Sequence, residues 1–194
     1  ALISLAGIHM LQSNFVQATN TLSAAIGIAP DSRLKRRGKI SMGRLLLRMQ
    51  HLDEGAAMLK AYIATVPPDP SAQSLQMEVA AAFLDAGKAE QAVEAYQHYL
   101  ETFSDRPGRA EAFNGKGWAL LLQQRPAYVE AADAFRQAYS LFIEPAEKAK
   151  CLVKTADCHF SNKQFGLAAQ AYEQVLSEFP ASPLSLQALF QVAE

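Results

Sequence analysis

The pattern of small, bulky and polar positions in this chain repeats at an interval of 37 to 39 residues. A first series of small residues has this spacing and consists of Ala18, Gly55, Ala92, Ala131 and Ala168. A second small residue lies twelve positions before each of these, and this second series consists of Ala6, Gly43, Ala80, Ala119 and Ala156, with Ala193 as its next member. Self-similarity at a fixed period of this length is typical of stacked structural repeats. The pattern therefore predicts about five similar units and part of a sixth.

Bulky and apolar residues accompany the first series at helical spacing. Four positions after its members stand Leu22, Leu59, Tyr96, Phe135 and Tyr172. Seven positions after them stand Ala25, Tyr62, Tyr99, Ala138 and Val175. Residues at i, i+4 and i+7 share one face of an α-helix. Each unit is therefore predicted to contain a helix whose packed face combines a small contact residue with a large one, and a larger side chain at the small position would overpack the contact.

The two series together predict a pair of helices in every unit. The predicted helices lie near 1–12, 14–28, 33–50, 52–65, 71–86, 88–102, 108–124, 127–142, 146–162 and 164–178, with a partial helix from about 184. Proline with Asp or Ser separates the pairs, as in residues 30–32 and 180–183, because these residues end one helix or cap the next. The turn at 123–127 contains Pro126 and is predicted to be longer than the others, which leaves either Gly117 or Ala119 as the contact residue there.

This pattern resembles the tetratricopeptide repeat. The small residue, aromatic residue and closing proline of that family are matched by Phe165, Ala168, Tyr172 and Pro180, and again by Phe15, Ala18, Leu22 and Pro30. The family's usual tryptophan near the start of each first helix is missing, Ser104 and Ile143 replace the proline in two units, and the period exceeds the usual 34 residues. The longer period is similar to that of repeat proteins among bacterial envelope lipoproteins.

The resemblance implies an all-α fold, a right-handed α-solenoid of about five tetratricopeptide-like hairpins and the first helix of a sixth. We expect a single solenoid over residues 1–194. Its units lie at about 1–30, 31–68, 69–105, 106–144 and 145–181, with a partial unit at 182–194. Since the sequence starts and stops inside predicted helices, we also expect it to be a fragment of a longer chain. The likeness to envelope lipoproteins favours the bacterial periplasm or envelope, with the cytoplasm as the alternative.

Composition and charge exclude several classes of function. Half of the residues are hydrophobic and 19% are charged, which is typical of a folded protein. No apolar run approaches the roughly 20 residues of a membrane-spanning helix. The four histidines are scattered, and Cys158 and His159 project about 100° apart on a helix, so they cannot activate one another. We predict no catalytic site, no metal site and no cofactor, and hence no enzyme.

The clearest candidate site is a stripe of arginines. Arg33, Arg37, Arg44 and Arg48 lie within about 60° of one another on a predicted helix, in a segment without acidic residues. Arginine binds carboxylates and phosphates through two parallel hydrogen bonds, so a partner with acidic groups is one interpretation of the stripe. The other is a solvated helix face, or one that a neighbouring repeat neutralises. The net charge of −1 and the lack of interleaved aromatic residues disfavour nucleic acid.

Apolar residues form a second candidate site on the same face of the first helices. They include Met10, Met77, Leu84 and Phe160. They could receive a hydrophobic peptide or a partner helix, or they could pack between repeats. The leading hypothesis is a non-catalytic scaffold that binds a protein or peptide on its concave face. The alternative is a structural spacer in a bacterial envelope or export assembly.

Overall fold

The computed structural model describes residues 1–66, 70–104 and 107–193, without the side chains of residues 192 and 193. These residues form eleven α-helices and no strand. The helices are α1 (Leu2–Leu11), α2 (Phe15–Ile28), α3 (Ser32–Arg48), α4 (Leu52–Ile63), α5 (Pro70–Asp85), α6 (Ala89–Thr102), α7 (Arg109–Leu121), α8 (Tyr128–Leu141), α9 (Pro145–Ser161), α10 (Phe165–Glu178) and α11 (Pro183–Ala193). The eleven predicted helices are thus confirmed, and the largest difference is at the end of α7, which stops at Leu121 rather than at 124.

The helix starts follow from local side-chain chemistry. A carboxylate oxygen of Asp31 accepts a hydrogen bond of 2.7 Å from the backbone N–H of Leu34 and caps α3. The side chain of Asn14 caps α2 in the same way. Pro145 occupies the first turn of α9. The N–H groups of this turn have no partner within the helix, so proline, which lacks an N–H, costs no hydrogen bond there. The polar residues between the repeats therefore determine where these helices begin.

The turns inside the helix pairs share one backbone conformation. Ser13, Gln50, Gly87 and Lys163 all have positive φ, between 58° and 68°, and each lies in a three-residue turn between two helices. In the first, second and fifth pairs, the residue after this position donates its backbone N–H back to the first helix, as Gln164 does to the carbonyl of His159 at 2.8 Å. The turn between α7 and α8 differs. It spans six residues, as its predicted lengthening requires, and the N–H of Ala127 closes it on the carbonyl of Leu120.

The helices belong to two compact units. Unit 1 comprises residues 1–86 and contains α1 to α5, and unit 2 comprises residues 87–194 and contains α6 to α11. Within each unit every helix packs on the helix that follows it in sequence. This consecutive packing of helix pairs is that of a tetratricopeptide-like α-solenoid, so the predicted fold class is confirmed. The predicted division into repeats stays a prediction, because its boundaries at 68–69 and 105–106 fall at least partly outside the described residues.

The small residues of the two series lie inside these units. Ala6 and Ala18 are fully buried in a core cluster with Leu22, and Ala156 and Ala168 are buried in another with Tyr172. Ala193 is in α11, but its side chain lies outside the described residues.

The lengthened turn moves the contact point of the fourth hairpin. Gly43 faces the side chain of Leu59, which is four residues after Gly55, and Gly117 faces the ring of Phe135, which is four residues after Ala131. Gly117 is therefore the structural equivalent of Gly43. Ala119, the other candidate, is also fully buried.

Candidate functional site: the first-helix face of unit 1

In unit 1 the first helices of the hairpins lie side by side. Helix α3 contacts α1 on one side and α5 on the other, in addition to its hairpin partner α4. We refer to the surface that α1, α3 and α5 share as the first-helix face of unit 1. All four arginines of the predicted stripe lie on α3, and all four are solvent-exposed. The same helix buries Met42, Gly43 and Leu45 in the interior of unit 1. One side of α3 is therefore apolar and the other is charged.

Two grooves flank Arg44 on this face. Groove A has a volume of about 570 Å³ and is lined by Ile3, Arg37, Ile40, Ser41, Arg44, Tyr62, Pro70, Ser71, Ser74 and Leu75. Groove B has a volume of about 550 Å³ and is lined by Met10, Arg44, Leu47, Arg48, Gln50, Glu78, Ala81, Ala82 and Asp85. Most of these residues belong to the three first helices, and Arg44 is the residue common to both grooves. The two grooves therefore adjoin along α3.

Arg44 is held by a carboxylate of the next first helix. Its Nε donates to Oε2 of Glu78 at 2.7 Å, and its Nη2 donates to Oε1 at 2.6 Å. The hydroxyl of Ser74 also donates to Oε1 of Glu78 at 3.3 Å. Hydrogen bonding to Glu78 raises the pKa of the Arg44 guanidinium, while burial opposes this. The side chains of Arg44 and Glu78 retain 45% and 36% of their exposure, so solvent screens the pair.

The other arginines of the stripe differ in their surroundings. Arg37 lines groove A, where none of the described lining residues is acidic. Arg48 lines groove B together with Asp85, without an ion pair between them within 4.0 Å. Arg33 lies one turn before Arg37 and lines neither groove. In the part of the chain that the structure describes, Arg37 thus lines a groove without an ion-pair partner within 4.0 Å.

Comparison with known families agrees with this architecture. A model of the tetratricopeptide repeat matches residues 40–107, 80–144 and 128–183, which together exceed half of the chain. The chain belongs to the tetratricopeptide repeat family. Tetratricopeptide repeat proteins are generally protein–protein interaction scaffolds without catalytic activity.

Solved structures of other repeat proteins are similar over most of the chain. A tetratricopeptide repeat protein from Parabacteroides merdae is 16% identical over 99% of this chain and 72% of its own, with a TM-score of 0.67. BtubC from P. vanneervenii is 16% identical over 93% and 79%, with a TM-score of 0.65. YrrB, a tetratricopeptide repeat protein with an unusual peptide-binding site, is 13% identical over 96% and 89%, with a TM-score of 0.63. At such identities the likeness shows the fold alone. No curated protein matches the chain.

Of the apolar candidates in this tetratricopeptide repeat protein, Met10 lines groove B, and the other three lie elsewhere. Met77 and Leu84 are half-buried on α5 and line neither groove A nor groove B. Phe160 lies in unit 2 on α9, where it is 42% exposed and packs edge-on against Phe165 with 5.4 Å between ring centroids. Phe160 and the arginine stripe therefore belong to different units and are distant from each other in the sequence.

The cysteines of this repeat protein lack the properties of nucleophiles. Cys151 and Cys158 are buried free thiols on α9. Burial raises the pKa of each thiol to about 12, with further contributions from Glu147 and Asp157 respectively. Among the described residues no group of His, Cys, Asp and Glu could hold a metal ion. No described helix is long and apolar enough to cross a membrane.

Glu78 is the residue of this face that the sequence pattern did not single out. A step of 37 residues places it at the repeat position of Ser41, and therefore within one turn of the position equivalent to Arg44 on the next first helix. Aligning the units and comparing charges on successive first helices would have indicated the pair. The signal is weak, because a single acidic residue on an exposed helix face is common.

Proposed function

We propose that the chain is a protein-interaction module that binds an extended peptide segment on the first-helix face of unit 1. The observation that carries the proposal is the pair of adjoining open grooves along α3, with volumes of about 570 and 550 Å³. Together they offer a track along the helix rather than a single closed pocket. A track suits a segment of chain better than a compact small molecule.

The lining of groove A combines apolar surface with hydrogen-bonding groups, and a bound peptide can use both. Ile3, Ile40 and Leu75 provide apolar surface for side chains. Ser41, Ser71 and Ser74 provide hydroxyl groups, which can donate and accept hydrogen bonds with a peptide backbone. An extended backbone loses its hydrogen bonds to water on binding and must replace them. A groove that combines both kinds of group therefore favours a peptide ligand.

Site-specific crosslinking tests this proposal. A photoreactive amino acid replaces Ser41 in groove A, and in the control it replaces Lys60, which is exposed on α4 and lines neither groove. Within cells that produce the full-length protein, we expect the Ser41 position to crosslink one defined segment of a partner and the Lys60 position not to do so. A synthetic peptide of that segment should then bind the purified protein, and Ser41→Arg should abolish binding by filling the groove.

Two results would contradict the proposal. One is the same crosslinked products from both positions. The other is binding of the synthetic peptide that Ser41→Arg leaves unchanged. The predicted alternative, a structural spacer in an envelope or export assembly, requires no occupant in the grooves and would be favoured by either result.

A further inference from the structure

A carboxylate already lies on the guanidinium of Arg44. Glu78 contacts it through both oxygens at 2.6 and 2.7 Å, which is the two-point geometry in which arginine recognises acidic groups. The pair is substantially exposed. Exposed ion pairs contribute little because water screens them and because two long side chains must be held in place. Glu78 is therefore an occupant that another carboxylate can replace.

Arg37 supplies a second guanidinium to the same groove. It precedes Arg44 by seven residues on α3, or about 10 Å at 1.5 Å per residue, and the two lie on nearly the same side of the helix. Its side chain makes no ion pair or hydrogen bond to the described residues. Since none of the described residues that line groove A is acidic, the charge of Arg37 is available to a ligand there.

We propose that the first-helix face of unit 1 takes an extended acidic segment of a partner protein, with one carboxylate on Arg37 and a second on Arg44 in place of Glu78. This inference rests on the proposed function, because it names the ligand class of the same grooves. The spacing of the arginines limits the ligand further. An extended chain rises about 3.3 Å per residue and its side chains alternate between faces, so acidic residues two or four positions apart can reach both arginines.

In this arrangement Glu78 is an internal competitor. It keeps Arg44 paired when the groove is empty, and it lowers the affinity for any acidic ligand by the free energy of the pair that must be broken. Removing its charge should therefore strengthen binding. Glu54 provides a matched control, because it is an acidic residue of unit 1 on α4 that lines neither groove A nor groove B. Its side chain is 72% exposed, so water and salt screen its charge.

Fluorescence anisotropy with two labelled peptides tests the proposal. One is an Ala- and Ser-based peptide of about ten residues with glutamates four positions apart, and the other has glutamines in their place. We expect the purified protein to bind the glutamate peptide more tightly. Glu78→Gln should tighten its binding about two- to fivefold. Arg37→Gln should weaken it about tenfold, and Glu54→Gln should change it by less than twofold.

The competing outcomes are separable. Equal binding of the two peptides, or weaker binding in Glu78→Gln with unchanged melting temperature, would overturn the acidic ligand class. A single-stranded oligonucleotide that displaces the glutamate peptide at equal charge concentration would show a general polyanion site and overturn it as well. If Ser41→Arg abolishes binding of the glutamine peptide, the peptide-binding function stands although the acidic class fails. If neither peptide nor the crosslinked segment binds, the proposed function itself fails.

Discussion

Gly43 and Gly55 face each other across the second hairpin at a distance that no side chain could enter. A Cβ atom on Gly55 would lie 2.9 Å from the carbonyl oxygen of Gly43 and 2.9 Å from the backbone nitrogen of Leu47. Both atoms belong to the backbone of α3, so they cannot rotate away as a side chain could. The helices α3 and α4 therefore pack backbone against backbone at this point, and α3 is the helix that carries the arginine stripe.

Replacing Gly55 with alanine should consequently destabilise unit 1. The added methyl group forces α3 and α4 apart, and overpacking of this kind costs about 1 to 3 kcal/mol. Chemical denaturation followed by circular dichroism measures the loss of free energy of unfolding.

Gly7→Ala is the matched control for this substitution. Gly7 lies inside α1, and a Cβ there would meet no atom within 4 Å. Alanine is favoured over glycine in a helix interior by about 0.5 to 1 kcal/mol, so this variant should be as stable as the unsubstituted protein or more stable. Equal destabilisation by both changes would show that the close approach at Gly55 is not the cause.

The turn residues predict a stabilising substitution. Gln50 and Lys163 adopt φ of 64° and 60°, a conformation that costs a residue with a Cβ about 1 to 2 kcal/mol, whereas glycine adopts it freely at an entropic cost of its own. Gln50→Gly and Lys163→Gly should each raise the free energy of unfolding by about 0.5 to 1 kcal/mol. Differential scanning calorimetry checks this as an increase in melting temperature.

Asn162→Gly serves as the control in the same turn as Lys163. Asn162 has φ of −85°, so glycine relieves no strain there and only adds flexibility to the unfolded chain. A gain from Asn162→Gly as large as that from Lys163→Gly would disprove the backbone explanation.

The thiols of Cys151 and Cys158 should be protected in the folded state. Their pKa values are raised from 9.0 to about 12, chiefly by burial, and the thiolate is the reactive form. At about pH 8, a disulfide reagent should modify neither thiol in the native protein and both in concentrated guanidinium chloride. Rapid modification of either thiol without denaturant would contradict the burial of these side chains on α9.

The raised pKa values of the two thiols also make the stability of the protein depend on pH. A thiol whose pKa is raised on folding stabilises the native state below its unfolded pKa of 9.0, and this contribution is lost as the pH rises from about 9 to about 12. Stability should therefore fall over this range, and Cys151→Ala should reduce the slope. Comparing the denaturation midpoints of the unsubstituted protein and Cys151→Ala at several pH values separates the contribution of the Cys151 thiol from those of tyrosine and lysine.

The sequence alone is sufficient to predict the helix pairs and most of their contact residues. Positions such as Ala18 and Ala168 repeat with the period of the structure, and local signals such as Asp31 and Pro145 mark where helices begin. These features are readable because each depends on residues close together in sequence. The sequence leaves the contact residue of α7 open between Gly117 and Ala119, because the longer turn shifts the register, and the position of Phe135 beside Gly117 identifies the equivalent residue.

Only the tertiary structure decided which charges of the arginine stripe are paired. Arg44 and Glu78 are 34 residues apart, and their contact depends on how α3 and α5 lie against each other rather than on any local pattern. The same packing places Arg37 in groove A, which has no acidic residue among its described lining, and places Arg48 in groove B together with Asp85. A helix sequence determines which side chains share a face, but the neighbouring helix determines what that face meets.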